Sequence, residues 1–157
     1  MDKRAAKLHP VVDAYVHTGK LLGEILAGIP EPRDPVTRAI IVLREALFRT
    51  RSFPEAVSLA ESTDLTGSDR DVLAMFFGVW GRLATAQDHF AEAASLFRRA
   101  QALVGKHTPP EIRAVLLTSE SQLLLSSGRK ELASAQNREA VAIVCRRSPR
   151  YPMVFGD

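Results

Sequence analysis

Three stretches of this chain fall into register when it is slid against itself. "FPEAVSL" (53–59), "FAEAASL" (90–96) and "KELASAQ" (130–136) align Ala56, Ala93 and Ala133, at separations of 37 and 40 residues. Phe53 then falls on Phe90, and seven residues after each alanine come Thr63, Ala100 and Ala140. Upstream, Leu43 aligns with Trp80, while Leu47 and Leu124 bracket Ala84. A period of this length is the signature of stacked supersecondary units, each unable to bury its apolar face alone. Alternation of polar and apolar residues is nearly absent, and spacings of three and four dominate, so the units are helical.

The regular alanines have a physical reason. In "DHFAEAASLFRRA" (88–100), Phe90, Ala93, Phe97 and Ala100 share one stripe, with Glu92, Arg98 and Arg99 turned away. Helices approach within about 8–10 Å only where side chains at the crossing are small. The alanines are therefore expected to seam each helix pair, and the phenylalanines to fill the spaces between repeats.

Breakers divide the chain. "GIPEPRDP" (28–35) is a loop. "RTRSFPE" turns at Ser52, with Pro54 suited to a first helical turn. Ser68 or Asp69 serves as an N-cap, Gly105 closes one helix, Thr108 caps the next, and Gly128 makes the last internal turn. The reading is all-α, with seven helices near 10–27, 35–50, 53–63, 69–86, 89–104, 109–127 and 130–146. Short connections make sequential helices antiparallel. Residues 1–35 are assigned to a capping helix and loop, 36–146 to three helix hairpins, and 147–157 to an extended tail.

A chain of 157 residues with 46% hydrophobic and 25% charged residues belongs to a folded domain. The single cysteine, Cys145, excludes an internal disulfide and is read as a lone buried thiol. The basic start "MDKRAAKLHPVVDAYVHTGK" lacks a following apolar segment, and no run approaches the roughly 18 apolar residues of a membrane span. No membrane association is expected, and a cytoplasmic location is. His9, His17, His89 and His107 stand apart without metal-ligand spacing, and no nucleophile elbow or phosphate-binding loop occurs. The chain is read as a non-enzyme with no cofactor.

The stretch "FFGVWGRLATAQDHFAEAASLFRRAQALVG" resembles a tetratricopeptide repeat, whose pattern is W-x₂-L-G-x₂-Y, then A-x₃-F, then P. Phe77 stands in the first aromatic slot, Trp80 in the leucine slot, Gly81 keeps the glycine, and Ala93 and Phe97 supply A-x₃-F. Ala84 replaces the tyrosine and Gly105 the closing proline. The unit upstream, "IIVLREALFRTRSFPEAVSLAEST", carries Arg44 in the glycine slot and Ala60 in the second aromatic slot. Downstream, "LLTSESQLLLSSGRKELASAQNREA" has Glu120 and Asn137 where apolar residues belong. The resemblance covers residues 36–146. It implies a right-handed superhelical stack of antiparallel hairpins. Separations above the family's repeat of about 34 residues point to an irregular superhelix.

The resemblance also implies a binding face, because the first helices of such arrays line a concave surface. Its residues here are Arg38, Ile41, Glu45, Phe48 and Arg49; then Met75, Gly78, Arg82 and Thr85; then Thr118, Gln122 and Leu125. Arginines suit a carboxylate or acidic peptide, and the apolar members suit an anchoring side chain. A protein or peptide partner is the expectation, and "REALFRTRSFPEAVSLAE" is similar to the degenerate arrays of bacterial transcriptional regulators. Three alternatives stand beside it. A nucleic-acid-binding domain would use Arg98, Arg99, Arg129, Arg146 and Arg147, against which the interspersed acids and missing aromatics argue. A secretion-type chaperone is the second, and a self-assembling unit the third. The N-terminal helix, with Val12, Tyr15, Val16, Leu22, Ile25 and Leu26 on one stripe, is a cap, a dimerisation helix giving a homodimer, or a cover over the concave groove.

Overall fold

The computed structural model describes residues 22–31, 34–48 and 50–147, with side chains as far as Val144. Among them are seven helices and no strand. We label them α1 (22–27), α2 (Pro35–Leu47), α3 (Phe53–Ser62), α4 (Arg70–Ala86), α5 (Phe90–Leu103), α6 (Pro110–Ser126) and α7 (Lys130–Arg147).

Local chemistry sets the helix starts. Asp34 caps α2: its carboxylate accepts from the Thr37 N–H at 2.9 Å and from the Thr37 hydroxyl at 2.8 Å. Burial raises this carboxyl, but the bonds from Thr37 and the Val36 and Asp34 backbone outweigh it and hold the pKa below 3.8. The cap is thus strongest when ionised and fades as pH falls through and below the ordinary carboxylate range. Ser52 caps α3 and Asp69 caps α4. At α6 the expectation fails: the cap position is Pro109, without a side-chain bond, and the Thr108 hydroxyl instead accepts from the Gly105 N–H at 2.9 Å. With Pro110 opening the helix, one N–H that a cap would serve is missing anyway.

The helices pair as α2 with α3, α4 with α5 and α6 with α7, and the first helices α2, α4 and α6 lie side by side in that order. Each second helix also touches the first helix of the next hairpin. Ala56, Ala93 and Ala133 occupy the same place in their hairpins. Each is the fourth residue of the second helix, is fully buried, and donates its N–H to the residue just before that helix, Ser52, His89 or Arg129.

At the α4–α5 crossing, a Cβ on Gly81 would stand 3.0 Å from the Phe97 ring, so only glycine admits that ring. Phe76 meets Phe77 and Trp80 edge-on, with centroids 5.2 and 5.5 Å away. Phe90 departs from the expected stripe. Ala93, Phe97 and Ala100 are buried, but Phe90 is 37% exposed, because it opens α5 at the turn and lies beyond the crossing.

Candidate functional site

The face formed by α2, α4 and α6 divides into an open part and a covered part. Arg38 is exposed, as are Phe48 (49%) and Leu125 (37%), at the C-terminal ends of α2 and α6. Ile41, Glu45 and Gln122 are half-buried. Glu45 meets Arg51 of the following turn at 3.3 Å. Arg49 lies outside the described residues. The other five expected groove residues, Met75, Gly78, Arg82, Thr85 and Thr118, are all buried. Gly78 is an inter-hairpin contact: an added Cβ would run into Leu116 Cδ2 of α6. Thr85 donates its hydroxyl to the Gly81 carbonyl at 2.9 Å, turning back on its own helix. These five therefore present no free surface in this arrangement.

α1 and the turn that follows it pack on α2 and on the third hairpin. Leu22 and Leu26 are buried in the main core, to which every helix from α2 to α6 contributes, and Ile25 and Ile29 pack on its margin. Ile25 also packs against a second apolar cluster, formed by Ala114 of α6 with Ala140 and Val144 of α7. Gly23 sits against Arg44 of α2, whose Nη2 would be 2.9 Å from a glycine Cβ. The segment thus touches the first hairpin and the third. Its apolar residues recur at i, i+3, i+4 and i+7, while Glu24, Ala27 and Gly28 face solvent. Burying two leucines contributes about 1.5–3 kcal/mol each to holding the segment in place.

Arg44 is the pivot between covered and open parts. Its guanidinium lies 5.0 Å over the Phe48 ring, and its Nε is buried with no hydrogen-bond acceptor among the described residues. A cation stacked on a half-exposed aromatic ring is a ready seat for a carboxylate next to an apolar side chain.

Elsewhere, a cavity of about 210 Å³ opens between α5, α6 and α7, walled by Val104, Leu116, Leu117 and Ile143, with Arg113 and Glu139 as charged members. It is smaller than the roughly 300–1,000 Å³ of ordinary ligand pockets. Arg113 is already committed to the Gly105 carbonyl at 2.7 Å. Arg99, one of the cations considered for nucleic acid, sits 4.1 Å over the Phe77 ring, whereas the Cys145, Arg146 and Arg147 side chains and Arg150 lie outside the described residues. Among the described residues no three His, Cys, Asp or Glu side chains gather as a metal site, and no helix is long and apolar enough to cross a membrane.

No protein-family model matches this sequence, and no curated protein and no solved structure gives a significant match. The functional argument therefore rests on the chain's own geometry.

Two features of the site escape a reading of sequence. The stripe of Leu22, Ile25 and Leu26 is legible as amphipathic, but the surface that receives it is not. Arg44 reads as an intruder in a glycine slot, and only the packed structure shows its guanidinium between α1 and Phe48.

Proposed function

We propose that this chain is a polypeptide-binding scaffold of tetratricopeptide-like, right-handed superhelical design, acting as the sensor or interaction part of a bacterial regulator. Its binding face is the side of α2, α4 and α6. The observation that carries this reading is the seat of residues 22–29: an amphipathic segment reaches Arg44 of α2 by Gly23 and the cluster of Ala114, Ala140 and Val144 by Ile25, so it bridges the first and third hairpins. Supporting it is the open end of the same face. There Phe48 and Leu125 are large apolar side chains left accessible, with Glu45 one turn before Phe48 and Gln122 one turn before Leu125. That is the composition of an anchor with a polar rim.

The test begins with helical peptides selected from a display library against the full chain. The binders are then titrated against Phe48→Ala and Leu125→Ala variants. Loss of a central anchor weakens binding at least tenfold, which corresponds to about 1.4 kcal/mol. Binders that keep full affinity for both variants place the interaction elsewhere and reject this face.

A further inference from the structure

We infer that the cavity of about 210 Å³ between α5, α6 and α7 is a binding site for a free apolar α-amino acid of leucine size. Arg113 holds its carboxylate, Glu139 its ammonium group, and the aliphatic wall its side chain. The site shares no residue with the polypeptide face and does not depend on that reading.

Wall, charge and size converge on that chemistry. Val104 closes α5, Leu116 and Leu117 come from α6, and Ile143 comes from α7, so the cavity joins the second hairpin to the third. Leu116 is buried and packed against Gly78 of α4, which fixes its part of the wall. Val104, Leu117 and Ile143 are only half-buried, so apolar surface remains for a ligand to cover.

The same cavity carries a cation and an anion that do not neutralise each other. Among the described residues no ion pair joins Arg113 to Glu139, and the exposed Glu139 carboxylate has neither an ion pair nor a hydrogen bond. The Arg113 guanidinium is anchored by its bond to the Gly105 carbonyl, just past the end of α5. That bond uses one of five N–H donors, and the Nε–H is buried with no hydrogen-bond partner. A guanidinium so placed and so little used suits a carboxylate. A plain carboxylic acid would leave Glu139 unanswered on the same cavity. An α-amino acid, with its ammonium group on the adjoining carbon, answers both charges. Size then selects among amino acids. An apolar cavity of about 150 Å³ takes benzene, so this one admits a molecule a few heavy atoms larger. Leucine, isoleucine and methionine meet that limit; tryptophan exceeds it, and glycine leaves the wall uncovered.

Bound there, the amino acid ties the end of α5 to α6 and α7 and stabilises the junction of two hairpins by mass action. Occupancy follows the free amino-acid concentration, which gives the array a small-molecule input separate from any polypeptide partner.

The experiment titrates the full chain with free leucine into the millimolar range, by calorimetry and by methyl NMR. Leucinamide and isocaproate serve as probes that each lack one of the two charges. Leucine is expected to bind about tenfold more tightly than either, and to shift the methyl signals of Leu117 and Ile143. Glu139→Gln should weaken leucine about tenfold while leaving isocaproate no weaker, and Arg113→Gln should abolish binding of both. Arg113→Gln also removes the bond to Gly105. If its thermal midpoint falls, Glu139→Gln decides, because that side chain is exposed and bonds to nothing among the described residues. Absence of leucine binding overturns the inference, as do methyl shifts that spare Leu117 and Ile143. Isocaproate or leucinamide binding as tightly as leucine overturns it too, and so does unchanged leucine affinity in Glu139→Gln.

Discussion

The second and third hairpins share a backbone plan and fill it in opposite ways. Both turns close with the same bond, from His89 N–H to the Ala84 carbonyl at 2.9 Å and from Arg129 N–H to the Leu124 carbonyl at 2.8 Å. Both set a fully buried alanine on the fourth residue of the second helix. In the second hairpin, Gly81 clears space that the Phe97 ring occupies, and the seam is apolar. In the third, the aligned positions are Ser121 and Asn137, both fully buried. Ser121 donates to its own Thr118 carbonyl at 2.7 Å, and Asn137 donates its amide to the Ala133 carbonyl at 3.0 Å. The Asn137 Oδ1, the Gln136 Oε1 and the Thr118 and Ser119 hydroxyl oxygens are buried without hydrogen-bond partners. Equivalent geometry can therefore be reached by a glycine–aromatic fit or by small polar residues. The second route leaves unmet hydrogen-bonding demand, at about 1–3 kcal/mol for each group so stranded.

The sharpest way to break this contrast is Phe97→Ala. It empties the apolar seam opposite Gly81 and is expected to cost about 3–5 kcal/mol, measured by urea unfolding with an unchanged slope. A loss under about 1 kcal/mol would mean that the ring is not central to the hairpin. The polar seam predicts the opposite sign. Asn137→Leu removes the stranded carbonyl and should raise stability by about 1 kcal/mol, with slower hydrogen exchange in α7. Destabilisation would show that Asn137 has an acceptor-side role, such as holding a buried water. The smallest effects lie in the turns, where Asp88 (φ 62°) and Gly128 (φ 82°) take the left-handed conformation at equivalent places. Asp88→Gly should stabilise by a few tenths to about 1 kcal/mol, and Gly128→Ala should destabilise by about 1 kcal/mol, both read as shifts in thermal midpoint.

The hairpins were legible because punctuation and periodicity agree. Proline and glycine mark the connections, and Ala56, Ala93 and Ala133 mark the crossings. Thr108 misled as a cap because consecutive prolines alter which backbone groups need a partner. Phe90 misled because helical spacing assigns a face but not a height along the crossing; one turn from the end, the same face opens to solvent. The face of α2, α4 and α6 was legible as a register of positions, which placed Phe48 and Leu125 in the open. That Met75, Arg82 and Thr118 are buried depends on tertiary packing between hairpins, and a stripe of leucine and isoleucine does not encode its own destination.

The contact of Ile25 with the cluster of Ala114, Ala140 and Val144 also fixes an order of events at the ribosome. Residues 22–29 emerge before α2, yet their seat is complete only when α7 has been made. At about 5–20 residues per second, that delay is on the order of 5–25 s. Throughout it the Leu22, Ile25, Leu26 and Ile29 stripe is newborn and unsheltered, the sort of segment on which holdase chaperones act. The first hairpin is thus complete well before the third exists to finish the seat of residues 22–29.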